Sequence, residues 1–200
     1  MSSPRIALTF DTEHWSHPST PDVQDRILDA LDAADVRATF FVQGRWATAY
    51  PDCARRIAVS GHLVGNHSHH HAPMDILTDA GIEIDVLQAQ EAIAAITGAD
   101  PRPWFRCPFG AGHDDPRVLA ALERVGYRNH HWDVEPDDWR PERKPADLQR
   151  LVIDGALAHG DGAVVLLHSW PPATIAALPA ILAGLTDAGA RAVRLDEVAP

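Results

Sequence analysis

This chain of 200 residues predicts an α/β domain built on a parallel sheet. Short apolar runs bounded by turn residues alternate with segments of helical period along the whole length. No internal repeat, low-complexity tract or linker interrupts them, so one domain spans 1–200. Polar residues able to do chemistry cluster just after the apolar runs, where α/β folds place their sites. The alternation alone leaves open whether the sheet closes as a barrel or stays open and doubly wound.

The first run, residues 6–10, reads as a buried strand, and Val23, Ile27, Leu28 and Leu31 then share one helical face. Residues 38–42 give the next strand and 53–59 a short helix. A strand at 62–65, a longer helix at 78–96 and a short strand at 103–105 follow. Next come a helix at 116–125, a strand at 127–132 and a helix at 145–158. The series closes with the apolar strand 163–167, a helix at 174–185 and a last strand at 191–195.

Hydrophobic residues make up 46% of the chain and charged residues 22%, the composition of an ordinary globular protein. A net charge of −11 with no run of Lys and Arg argues against a nucleic-acid partner, because phosphates are neutralised by clustered basic side chains. Cys53 and Cys107 have no metal-finger spacing and are too few for a disulfide framework. Nothing near the N-terminus is apolar for long enough to be a signal peptide or a membrane span. The expectation is therefore a cytoplasmic protein as written, extracytoplasmic if an export segment has been removed. The sequence carries no signal for an oligomeric state.

Asp11 and Glu13 follow the first strand, His67 and His71 the third and Arg106 the fourth; Glu135 and Asp138 follow the fifth, and His168 ends the sixth. In His67-Ser68-His69-His70-His71 the i, i+4 pair projects both imidazoles to one side if the segment is helical, although a solvated histidine-rich loop reads equally well. Two residues apart, Asp11 and Glu13 point to the same side of an extended strand end: one to bind a metal and one to take a proton, or both as surface acids. Two histidines and a carboxylate leave a coordination position open for hydrolytic chemistry. His168 is a candidate proton donor or a satisfied core histidine, and Arg106 a structural partner or a group that holds a carboxylate ionised. Trp15, Trp132, Trp139 and Trp170 offer flat faces for stacking if exposed, or pack in the core or at the rim.

Several motifs in sequence order resemble the polysaccharide deacetylases, also called the NodB-homology domain or carbohydrate esterase family 4. They are Leu8-Thr9-Phe10-Asp11, Ala38-Thr39-Phe40-Phe41-Val42 with Gly44, and Gly61-His62-Leu63-Val64-Gly65-Asn66-His67-Ser68-His69-His70-His71. Phe105-Arg106-Cys107-Pro108-Phe109-Gly110, Trp132-Asp133-Val134-Glu135-Pro136-Asp137-Asp138-Trp139 and Leu166-Leu167-His168 continue the series. The resemblance implies a distorted (β/α) barrel of about seven parallel strands. It also implies a divalent metal, by default Zn2+ with Co2+, Ni2+ or Mn2+ compatible, held by His67, His71 and a carboxylate. Asp11 becomes the general base, His168 the general acid and Arg106 the partner of Asp11. The Phe109 amide helps hold the oxyanion, Leu166 and Trp139 wall the acetyl methyl, and Glu135 tunes the acid.

Two departures stand out. The family commonly has paired aspartates after the first strand, whereas Thr12 holds the ligand position here and Glu13 follows it, which makes Glu13 the third ligand; the reverse assignment of Asp11 and Glu13 stays open. Glu135 stands where the family has aspartate. The implied activity is hydrolysis of N-acetyl groups from amino sugars, giving acetate and a free amine. One rival is a deacetylase of a small N-acetylated metabolite or an O-acetyl ester, suggested by the loop Glu13-His14-Trp15-Ser16-His17. The other is a metal- or sugar-binding module without turnover.

Overall fold

The computed structural model of the protein describes residues 3–13 and 21–198. The expectations placed on His14, Trp15 and His17 lie outside the described residues. Strand and helix take turns as β1 Arg5–Thr12, α1 Pro21–Ala33, β2 Thr39–Val42, α2 Gly44–Ala49, α3 Pro51–Val59, β3 Leu63–Asn66 and α4 Asp79–Thr97. Then come β4 Trp104–Phe105, α5 Pro116–Arg124, β5 Arg128–Asn129, α6 Pro145–His159, β6 Ala163–His168, α7 Pro172–Asp187 and β7 Arg191–Val193. The chain divides into two compact units: Met1–Asp11 with Ser19–Thr39 and Trp132–Pro200, and Thr12–Pro18 with Phe40–His131.

In the first unit β1 pairs in parallel with β6 on one side and β7 on the other, in register from Ile6 against Ala163 to Asp11 against His168. A strand flanked on both edges in a parallel sheet is covered on both faces, which is why Ile6, Ala7, Leu8 and Phe10 are all fully buried instead of alternating. Thr9 is tolerated inside because its hydroxyl donates to the Val165 carbonyl at 2.6 Å. α7 packs on α6 and α1, with Leu178, Ile181 and Leu185 buried, and the register carries Asp11 and His168 together to the strand ends.

In the second unit the strands run in the order β5-β4-β3-β2, with β4 parallel to both β3 and β5. α4 is the central helix, against α2, α3 and α5. Thr78 caps its start by accepting from the Gly81 N–H, and Gly98 ends it in the left-handed conformation that lacks a Cβ penalty. Ile82 and Val86 of α4 join Phe105, Val118, Leu122 and Tyr127 in one core cluster. Gly44 opens α2 where the chains touch: a Cβ there would lie 2.8 Å from the Ala89 Cα and 2.5 Å from His69 Nδ1.

Three local differences from expectation have physical reasons. α2 has only six residues, too few for a periodic signal, and Pro51 restarts the chain as α3. The fifth strand is only Arg128–Asn129, after which Val134 makes an isolated parallel bridge to Val165. The segment from His67 to His71 is irregular, not helical.

Candidate active site

Glu13, His67 and His71 each offer a ligand atom, and these atoms all lie within 4.8 Å of one another. Glu13 follows the end of β1, and both histidines follow β3. The His67 Nδ1–H donates to the Arg106 carbonyl at 2.9 Å, and since a carbonyl only accepts, this fixes the tautomer and turns the Nε2 lone pair to the His71 Nε2, 3.1 Å away. A Glu13 carboxylate oxygen is 3.5 Å from that same His71 Nε2. Two donors at ordinary zinc distances on a tetrahedral ion stand roughly 3.3–3.5 Å apart. The spacings and the donor set therefore fit a divalent metal: a cation between the imidazoles also offsets the charge of Glu13, which is 8% exposed.

The i, i+4 spacing brings the two imidazoles together without a helix. Ser68 and His71 adopt left-handed backbone, at φ 64° and 58°, and their two bends fold the loop so that both rings face inward. Phe109 is left-handed too, at φ 58°, and its exposed ring meets the edge of the His71 ring with centroids 4.5 Å apart. Arg106 is fully buried. Its Nε donates to the His130 carbonyl at 3.0 Å, and its guanidinium lies 4.1 Å over the Phe41 ring.

In the first unit His168 is 9% exposed and its Nδ1–H donates to Asp138 Oδ1 at 2.7 Å. Asp138 Oδ2 accepts the His168 backbone N–H at 2.7 Å and the Thr174 hydroxyl at 2.6 Å, so three donors hold one buried carboxylate. This corrects the sequence reading, which put Glu135 beside His168. The Val134–Val165 bridge explains the exchange: it lays residues 133–134 along β6, leaves Glu135 exposed against the Trp132 indole at 3.1 Å, and brings the chain back at Asp138. Leu166 is buried in β6, its N–H on the Val134 carbonyl at 2.9 Å. Trp139 is 42% exposed with the Arg140 guanidinium 5.0 Å over its ring. Asp11 is buried at the end of β1, and its carbonyl accepts the Ser169 N–H at 3.1 Å.

The family model described as polysaccharide deacetylase matches residues 1–130. The chain belongs to the polysaccharide deacetylase family. A chitooligosaccharide deacetylase of a Bradyrhizobium species is 38% identical over 171 residues, which are 84% of this chain and 72% of that one. The solved peptidoglycan deacetylase PdaC from Bacillus subtilis matches at a TM-score of 0.84 and 30% identity, over 98% of this chain and 90% of that one. A family 4 pseudoenzyme from Bacillus anthracis matches at 0.87 and 28% identity, over 98% of this chain and 65% of that one. The likeness gives the fold class expected from the sequence, the distorted (β/α) barrel of NodB-homology type. Among the described residues no helix is long and apolar enough to cross a membrane.

For this member of the deacetylase family, sequence reasoning overlooked Thr174 and His130 as parts of the polar framework. Asp138 had a signal, since it directly precedes Trp139, but Thr174 had none at the start of an apolar helix. Burial first, then the charges of Arg106 and Arg128, press the His130 imidazole from its ordinary 6.5 down to about 4. Between those values the unfolded chain binds a proton that the folded chain does not. His130 thus contributes stability that is whole above about pH 6.5 and is lost as pH falls toward 4, on the order of 3 kcal/mol in all. In urea unfolding of metal-free protein, His130→Gln should flatten that part of the slope. Parallel pH profiles for variant and wild type would show that His130 titrates normally.

Proposed function

We propose that this chain is a metal-dependent deacetylase, acting as one catalytic domain, that hydrolyses N-acetyl groups of amino sugars in chitin-like or peptidoglycan-like saccharides. The observation that carries the proposal is the convergence of Glu13, His67 and His71, with the His67 tautomer set by the Arg106 carbonyl. The relatives named as deacetylases of chitooligosaccharide and peptidoglycan support the substrate class.

Glu13, His67 and His71 would hold the ion, by default zinc, with cobalt, nickel or manganese suited to the same donors. Such an ion supplies Lewis-acid chemistry at an acetyl carbonyl and makes water nucleophilic near neutral pH. Asp11 takes the proton of the attacking water, and Arg106 contributes a buried positive charge that favours ionised carboxylates. The Phe109 amide, presented by its left-handed turn, donates to the oxyanion. His168 protonates the departing amine from Nε2, because its Nδ1–H is committed to the buried Asp138 carboxylate, which Thr174 holds in place. Leu166 and Trp139 bound the acetyl methyl.

Acetate release from chitin oligomers, peptidoglycan fragments and small N-acetyl sugars, with and without chelator, tests the proposal. Release from the saccharides that stops with chelator and returns with zinc is the expected result. Release confined to the small sugars would replace the substrate class. The likeness to a family pseudoenzyme favours a second reading, a metal- or sugar-binding module without turnover. Bound zinc with no acetate from any substrate would establish that reading instead.

A further inference from the structure

We infer that Asp85, on α4, is a positioning residue that shapes the loop from His67 to His71 for metal binding. The inference rests on reading Glu13, His67 and His71 as the metal site. Asp85 is 5% exposed, and both its oxygens face the loop. Oδ2 accepts the His69 N–H at 3.1 Å; Oδ1 accepts the His70 N–H at 3.1 Å and the His70 Nδ1–H at 2.6 Å.

The loop needs such a tie. Left-handed backbone is unfavourable at a residue with a Cβ, and Ser68 and His71 both adopt it. Four bonds besides those of Asp85 hold them there. Asn66 Oδ1 accepts the Ser68 N–H at 2.8 Å, while its Nδ2 donates to the carbonyl of Val86, the neighbour of Asp85. Ser68 Oγ accepts the His71 N–H at 2.9 Å, and the Ser68 carbonyl accepts the Gly44 N–H at 2.9 Å. The second turn of α4 thus grips residues 66, 69 and 70, and Asp85 is the charged member of the grip. Charged acceptors make the stronger hydrogen bonds, and two adjacent part-buried amides lose both of theirs without Asp85. With Asp85 altered the loop relaxes, and metal binding must first restore the approach of the His71 Nε2 to the His67 Nε2.

Asp85→Asn keeps the shape and turns an NH2 group against one of the loop N–H donors, whereas Asp85→Glu keeps both acceptor oxygens. Zinc dissociation constants from chelator competition and the visible absorption of the cobalt-substituted protein measure the effect. Asp85→Asn should weaken zinc binding by roughly 10–100-fold and change the cobalt bands, with Asp85→Glu recovering part of the affinity. Wild-type affinity and an unchanged cobalt spectrum in Asp85→Asn would reduce Asp85 to a packing role. Amide hydrogen exchange in the metal-free wild type gives a measure that no folding defect confounds: slow exchange at His69 and His70 supports the grip, and exchange at loop rates overturns it. A wild type that binds no zinc would remove the metal site itself, an outcome distinct from a variant that binds as well as wild type.

Discussion

His71→Ala should lose bound zinc and acetate release together, each to background. The variant leaves His67 and Glu13, one imidazole and one carboxylate, where three donors now converge within 4.8 Å. Zinc sites of two protein ligands are weak, because each donor contributes to an affinity that must exceed the dehydration of the ion. The loss reaches beyond one bond: the His71 ring is the group that both the His67 Nε2 and the Glu13 carboxylate face, at 3.1 and 3.5 Å. His67→Ala should behave alike and also vacate the Arg106 carbonyl. Metal analysis after exhaustive dialysis, paired with acetate release, checks both variants. Glu13→Gln should likewise weaken metal retention, whereas Asp11→Asn should keep the metal and lose turnover. Full occupancy in either histidine variant would refute the ligand assignment.

The second large effect belongs to the proton donor. His168→Ala should slow hydrolysis of an N-acetyl sugar by about 10²–10⁴-fold, the ordinary range for a general acid. An aryl acetate should lose much less, because a phenolate departs without a proton and an amine does not. Asp138→Asn should share the selective loss, since its carboxylate receives the His168 Nδ1–H, the His168 backbone N–H and the Thr174 hydroxyl. Glu135→Gln should stay within about threefold of wild type, as expected of an exposed side chain that accepts from the Trp132 indole. Equal losses on both substrates, with metal bound and fold intact, would leave His168 a structural role.

The exchange of Glu135 for Asp138 shows where sequence reasoning stops. Which loop carries an acid was legible, because loops that follow strands hold the polar residues of α/β folds. Which acid turns inward was not, since the Val134–Val165 bridge decides it and joins residues far apart in sequence. β1 and β6 were legible as unbroken apolar runs because burial on both faces removes the alternation that marks a half-exposed strand. The pairing of His67 with His71 was legible in its spacing and misread in its cause: a helix was the simplest way to align i and i+4, and the chain uses two left-handed residues held by Asn66, Ser68 and Asp85. Asp85 itself left no trace in the sequence, sitting among the polar residues of a long helix as any surface acid would.

The conformation of Ser68 and His71 also limits which residues the loop admits. Glycine would take up the Ser68 backbone at no steric cost, yet it would leave the His71 N–H without the hydroxyl that now accepts it. A β-branched residue at either position would meet its own backbone. Threonine at 68 would keep the hydroxyl and add a methyl that left-handed geometry opposes. At His71 the proposed ligand role calls for an imidazole on left-handed backbone, which is uncommon for any residue with a Cβ although histidine accepts it more readily than most, so few residues satisfy both demands there. Serine and histidine stand there as the compromise between a cap, a ligand and a bend, and a change at one site narrows the choices at the other.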